Sequence, residues 1–143
     1  RGEREARRVL DEARAAALEA EGVERFVDAW GREPLFATQA RLPEPTRARH
    51  RTMRLALRAE GLAASLRVLG LGVMPSRWDT LASLAPHVTL VTGAEDARFR
   101  GVALRMAERI PRCRMRVASG AGHDVVLEAP AALAGILSEE VSS

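Results

Sequence analysis

Two short runs limit what this chain can fold into. Val88-Thr89-Leu90-Val91-Thr92 is nearly all apolar and rich in β-branched residues, and Met115-Arg116-Val117-Ala118 is a weaker run of the same kind. The first fits a strand inside a parallel sheet, because such strands are covered on both faces. Between the two, Ala97 to Ile110 has helical spacing, with Phe99, Val102, Ala103, Met106 and Ile110 on one face. Pro130 suits the first position of a closing helix, which should bury Leu133, Ile136 and Leu137. Strand, helix, strand, loop, helix is the βαβα order of an α/β sheet. Two such strands alone leave open edges and a thin core. Either strands are hidden in the first half, or the chain is the C-terminal part of a larger α/β domain whose other strands precede Arg1. The second reading is preferred.

The first half reads as helices. Glu3 to Glu21 is rich in Ala, Arg, Leu and Glu, with Val9, Leu10, Ala13, Ala17 and Leu18 at helical spacing. Gly22 breaks the pattern, and Val23, Phe26, Val27 and Trp30 mark one face of a second, short helix. Gly31 to Pro45 holds three prolines and should be mostly loop, with room for a turn of helix after Pro34. Thr46 to Glu60 resumes a helix, Gly61 interrupts it, Leu62 to Leu69 continues, and Gly70 with Gly72 ends it. Ser76 and Asp79 have the spacing of a capping box opening a helix over Trp78, Leu81 and Leu84. The expected division is a helical unit over 1–75 and a βαβα unit over 76–143.

Composition removes several function classes. The 143 residues contain 22 basic side chains, all Arg, against 19 acids, for a net charge of +3. Arg41 to Arg58 holds six Arg and one Glu, and Arg98 to Arg116 holds seven Arg and one Glu. Solvated helix faces explain such clusters, and so does recognition of a carboxylate-rich small molecule, since Arg pairs bidentately with carboxylates. Nucleic acid ranks third, because aromatics for stacking make up only 3% and no DNA-binding motif appears. A single Cys excludes a disulfide framework or a Cys-based zinc cluster, and no two of the three His have metal-ligand spacing. No apolar run approaches the roughly 18–20 residues that span a bilayer, and the opening Arg1-Gly2-Glu3-Arg4 has no apolar signal-peptide core. The expectation is a reduced cytoplasmic protein with no metal, no nucleic acid and no membrane segment.

Two loops carry candidate chemistry. Thr92-Gly93-Ala94-Glu95-Asp96 follows the first strand, and Ser119-Gly120-Ala121-Gly122-His123 follows the second. The C-terminal edge of an open α/β sheet is where ligands and catalytic groups gather. An acid after one strand and a histidine after the next is the layout of two members of a catalytic triad, the acid orienting the imidazole and the imidazole moving protons. Asp96 is equally well placed to be a helix N-cap, and His123 to be a plain surface residue. His50 and His87 have no companion pattern and should be solvated. The nucleophile is missing: no G-x-S-x-G occurs, and none of Ser65, Ser76, Ser83, Ser119, Ser138, Ser142 and Ser143 sits on a sharp strand-to-helix turn. An acid and a histidine without a nucleophile fit a chain that starts after the nucleophile turn.

Several segments resemble a known family. Gly61 to Gly72, Met74-Pro75-Ser76-Arg77-Trp78, Thr92 to Phe99, Gly120 to His123 and Leu127 to Pro130 look like the C-terminal part of the menaquinone-pathway α/β-hydrolases, the 2-succinyl-6-hydroxy-2,4-cyclohexadiene-1-carboxylate synthases. Asp28-Ala29-Trp30 and Pro34 to Ala37 are similar to the family's cap. The resemblance implies an α/β-hydrolase fold with a helical cap, and an enzyme that eliminates pyruvate from a polycarboxylate cyclohexene without metal or cofactor. Its Ser-His-Asp triad works as a base rather than by acylation. Position by position, Asp96 matches the triad acid and His123 the triad base, Arg7 and Arg54 match substrate-binding arginines, and Trp30 matches a pocket tryptophan. A missing N-terminal segment or a second chain would then complete the sheet. The sequence departs from the family pattern at Val126, where a second His is common, at Met74, where Gln is common, and at Arg98, where Lys is common. A generic esterase or lyase of the same fold, or a non-catalytic helical interaction protein, are the competing readings.

Overall fold

The structure is a computed structural model that describes residues 2–141 of the chain. It divides into two compact units, one formed by Arg1–Glu33 with Pro43–Ser76 and the other by Pro34–Leu42 with Arg77–Ser143. A single division at 75/76 was expected. The segment Pro34–Leu42 instead groups with the second unit, a tertiary preference that its loop-like sequence does not reveal.

In the first unit, helix α1 (Gly2–Gly31) bends at Gly22, whose φ of 84° and ψ of 171° leave helical space. That left-handed φ is open to Gly at little cost, so the expected break falls where only Gly is comfortable. Helix α2 (Glu44–Leu55) starts two residues before the expected Thr46, because Pro45 is tolerated in a first turn. The expected interruption at Gly61 does not occur. The chain breaks over 56–58 instead, and α3 (Ala59–Leu69) runs straight through Gly61. The stripe Ala59, Leu62, Ala63 and Leu66 explains this: it packs on Ala15 and Leu18 of α1, and that burial outweighs the cost of one Gly in a first turn. Ala15 and Ala63 are fully buried, and small side chains at both positions let the helices approach closely. Arg67 ties the same two helices together, donating to Glu12 and Glu19 of α1. Hydrogen bonds first to Glu19 and then to Glu12 push its guanidinium further above its ordinary range. Arg51 likewise joins α2 to Glu24 and Asp28.

In the second unit, β1 (Val88–Gly93) and β2 (Cys113–Ala118) pair in parallel, with Val88 opposite Cys113 and Gly93 opposite Ala118. They are the only strands among the described residues, and the first half holds none. Helix α4 (Ala97–Ala107) crosses between them and stops short of the expected Ile110, which is nonetheless buried. The one-turn helix α5 (Val125–Glu128) and α6 (Pro130–Val141) follow. Leu133 and Ile136 are half-buried as a packed face requires, but Leu137 is 55% exposed, against expectation. Charge holds α6 to the sheet: Glu140 accepts from Thr89 of β1 and pairs with Arg114 and Arg116 of β2. Where a capping box at Ser76 and Asp79 was expected to open a helix, the chain forms only a short turn that starts after Arg77. Trp78–Ser83 is a 3₁₀ turn without a side-chain cap, in which Thr80 and Ser83 donate to carbonyls three residues back. No described helix is long and apolar enough to cross a membrane.

Candidate active site

The loops after β1 and β2 meet because glycine lets them. Gly93 ends β1 with an ordinary φ, yet a Cβ there would fall on the backbone of Ala121 and Gly122. A Cβ on Gly122 would in turn fall on the side chain of Thr38. Backbone therefore packs directly on backbone. Ala94 N–H donates to the Ala118 carbonyl at 2.9 Å and Glu95 N–H to the Ala121 carbonyl at 3.0 Å, so the two loops are stitched edge to edge.

This nesting delivers His123 to Asp96. His123 Nδ1 lies 2.7 Å from Asp96 Oδ2, within hydrogen-bond reach, and since a carboxylate only accepts, Nδ1–H is the donor. The other oxygen, Oδ1, accepts the Phe99 N–H at 2.9 Å and caps α4. Asp96 is therefore a helix cap and the histidine's partner at once; the sequence left those two readings open as alternatives. The Asp96 side chain is 6% exposed and His123 31%, so the acid is sheltered while the ring keeps access to solvent. Phe99 lies against the imidazole at 4.5 Å between centroids, and Phe36 meets it edge-on at 6.0 Å. A cavity of about 220 Å³ opens beside the pair, walled by Leu90, Phe99, Val102 and Met106. With Nδ1 committed to Asp96, the lone pair on Nε2 is available to take a proton, and the buried carboxylate can stabilise the imidazolium that results.

Sequence reasoning missed two contributors. Phe36 and Thr38 belong to the 3₁₀ segment Pro34–Arg41, which extends the turn of helix the sequence allowed after Pro34 in an otherwise loop-like stretch, and Arg41 of the same segment pairs with Glu95 at 2.7 Å. Nothing in the sequence ties that segment to the histidine loop. Glu128 accepts the N–H groups of Gly122 and Asp124. The carboxylate lies in the Leu127–Pro130 segment, five residues after the histidine, and nothing in its spacing alone marks its bonds to this loop.

The other three predicted residues lie together in the first unit. Arg7, Trp30 and Arg54 line one cavity of about 350 Å³, otherwise walled by Phe26, Leu57, Leu62 and Leu66. Arg7 Nε is 2.9 Å from each carboxylate oxygen of Asp11, which is only 2% exposed. Trp30 stacks on Phe26 at 5.6 Å and carries the Arg14 guanidinium over its ring. An apolar cavity edged by two guanidinium groups suits a small anion with a hydrocarbon body. Among the described residues no three His, Cys, Asp or Glu side chains are grouped to hold a metal ion. Ser65 edges the Arg7 cavity, and Ser142 and Ser143 lie outside the described residues.

A parallel strand pair with an acid after the first strand and a histidine after the second, the two hydrogen-bonded, matches the order in which an α/β-hydrolase sheet carries these two groups. Solved structures agree. MenH from S. aureus has a TM-score of 0.91 at 32% identity, covering 97% of this chain and 54% of that one. A thermophilic esterase from Thermogutta terrifontis shares the fold, with a TM-score of 0.80 at 22% identity over 96% of this chain and 50% of its own. A curated protein of Bacillus subtilis (strain 168), provisionally named 2-succinyl-6-hydroxy-2,4-cyclohexadiene-1-carboxylate synthase, is 35% identical over 142 residues, which is 99% of this chain and 52% of that protein. No protein-family model matches the sequence. In sequence and fold the chain is similar to this synthase and to MenH, and it spans about half the length of the relatives it matches.

Proposed function

We propose that this chain carries the acid–base pair and the carboxylate-binding helices of a menaquinone-pathway lyase. The observation that carries the reading is the 2.7 Å contact between His123 and a sheltered Asp96 at the end of two parallel strands. In this reading His123 Nε2 takes a ring proton from a succinyl-cyclohexene carboxylate, Asp96 holds the imidazole in the tautomer that can accept it, the C–H electrons form a ring double bond, and the ring C–O bond breaks to release the enolate of pyruvate, which takes up a proton. Arg7 and Arg54 hold the carboxylates, and Trp30 covers the ring. The guanidinium groups serve recognition, and the imidazole serves chemistry. The triad serine comes from sequence outside these 143 residues, or from a second chain, because no G-x-S-x-G occurs within them.

Pyruvate release by the complete protein tests the reading. His123→Ala should cost several orders of magnitude in rate, and a near-normal rate would refute the assignment. The 143-residue chain alone should give no turnover, so measurable turnover would remove the need for an outside serine. Arg54→Ala should raise KM for the polycarboxylate and leave hydrolysis of a simple ester unchanged. Equal effects on both would point to an esterase of another substrate class. Arg54 makes the cleaner test, since removing Arg7 would also strand the buried carboxylate of Asp11.

A further inference from the structure

Glu128 touches neither Asp96 nor the imidazole in any hydrogen bond of the structure, yet it brackets His123. Its Oε2 accepts the Gly122 N–H at 2.9 Å and its Oε1 accepts the Asp124 N–H at 3.1 Å. These amides flank the histidine on either side, and the chain bends at His123 itself. One carboxylate can take both amides only while that bend is held in a single shape.

A plainer account makes Glu128 the acid of a helix start. Asp124 caps α5, its Oδ1 accepting the Leu127 N–H at 3.1 Å, and Glu128, one position past the usual capping-box acid, returns to the cap residue's own N–H in the same manner. That accounts for the bond to Asp124. It does not account for the bond to Gly122, which lies beyond the cap and on the far side of the histidine. The second bond serves the bend, and Gly122 is also the residue wedged between Thr38 and the end of β1.

We propose that Glu128 is a positioning residue for His123. By clamping both neighbouring amides it fixes the backbone from which the ring projects, so that Nδ1–H stays aimed at Asp96 and Nε2 is left for the reacting proton. The inference rests on the acid–base reading above. Its test reads the hydrogen bond and not turnover, so failure of the lyase assignment and failure of this inference are separate results.

The experiment uses the ¹⁵N-labelled complete protein and compares wild type with Glu128→Gln. Gln offers one acceptor oxygen where Glu offers two, so one clamped amide must be released. Amide exchange at Gly122 or Asp124 should quicken about tenfold or more. The His123 ring should pass from a single Nδ1–H tautomer to a mixture, with loss of its downfield Nδ1 proton. The amides of Phe99 and Leu127, held by other carboxylates, should keep their protection. Faster exchange with an unchanged ring tautomer would show that Glu128 only starts α5, and would overturn the proposal. Should far-UV circular dichroism show that Glu128→Gln does not fold, Glu128→Asp gives the decision. It keeps both acceptors but withdraws them by one methylene, so a weakened Nδ1 proton supports the clamp and an unaltered one overturns it.

Discussion

Replacing Gly93 by Ala tests how the Asp96–His123 pair is assembled. Gly93 has an ordinary φ, so Ala costs nothing in backbone conformation there, and only space opposes it. The new Cβ would lie 2.7 Å from the Ala121 carbonyl carbon and closer still to two carbonyl oxygens. Carbon atoms rest about 3.5–4.0 Å apart, so the histidine loop must retreat by roughly 1 Å. The contact between Nδ1 and Oδ2, now 2.7 Å, would then open beyond the usual 3.2 Å limit. The loop bonds from Ala94 and Glu95 would stretch with it. Overpacking costs about 1–3 kcal/mol and each of the three weakened hydrogen bonds about 1 kcal/mol, so Gly93→Ala should lose about 4–6 kcal/mol. Gly101 supplies the matched control. It lies exposed inside α4 with nothing within 4 Å of an added Cβ, so Gly101→Ala should gain about 0.5–1 kcal/mol. Urea unfolding followed by circular dichroism measures both, and the His123 ring ¹⁵N spectrum reports the pair. If Gly93→Ala matches wild type in stability and keeps the Nδ1 proton, direct backbone packing is not what brings the two loops together.

Three further predictions follow from the packing and charge of the two units. Glu140 is held below the ordinary glutamate range by the hydrogen bond from Thr89 first, then by attraction to Arg116 and Arg114. A lowered folded-state pKa stabilises above the unfolded value and is lost as pH falls through the folded one; Glu140→Gln should therefore weaken the fold at neutral pH, with the gap closing as the medium turns acid, and a gap constant across pH would sink the idea. Leu18, 1% exposed in the α1–α3 core, should cost about 2–5 kcal/mol as Leu18→Ala, whereas Leu104→Ala at a 52% exposed position should stay within about 0.5 kcal/mol; equal midpoints in thermal melts would contradict this. Asp11→Asn should lower the stability of the first unit by about 1–3 kcal/mol, because Arg7 of the same helix would keep a neutral partner in place of a buried carboxylate, and an unchanged melt would show that the Arg7–Asp11 ion pair contributes nothing.

What could be read from the sequence was whatever has a local cause. Val88 to Thr92 declared a buried strand through its β-branched run, Gly22 declared a bend through its missing side chain, and the two loops declared a site through their order after two strands. What could not be read depends on partners far along the chain. Gly61 looks like a helix breaker until Ala59, Leu62, Ala63 and Leu66 are seen packed on α1. Pro34 to Arg41 looks like loop until Phe36 meets the imidazole and Thr38 meets Gly122. The capping box at Ser76 and Asp79 met its spacing rule, but the chain there winds as a 3₁₀ turn with Trp78 beneath Arg105 and Arg109. Arg7, Arg54 and Trp30 were reached through family resemblance, since nothing in an Arg-rich helix distinguishes a guanidinium that edges a cavity from one that meets water.

The two jobs of Asp96 can be separated by one substitution. Asn caps helices as well as Asp does, so Asp96→Asn should retain the bond from Phe99 N–H through its single carbonyl oxygen and change stability by only about 0.5 kcal/mol. With that oxygen committed to the cap, the atom facing His123 becomes an NH₂ group, which can only donate. Nδ1 must then accept, and the imidazole proton moves to Nε2. The ring would sit in the same place in the wrong tautomer, with no lone pair left for the substrate proton. On the acid–base reading proposed above, the complete protein should lose about 10⁴-fold in rate. The ¹⁵N shifts of the ring distinguish the tautomers directly, and the melt measures the cap in the same sample. A flipped tautomer with an unchanged melt means that cap and catalytic partner are independent roles of two oxygen atoms. A large loss of stability would mean that the hydrogen bond to His123, and not the cap, holds the loop after β1 in place.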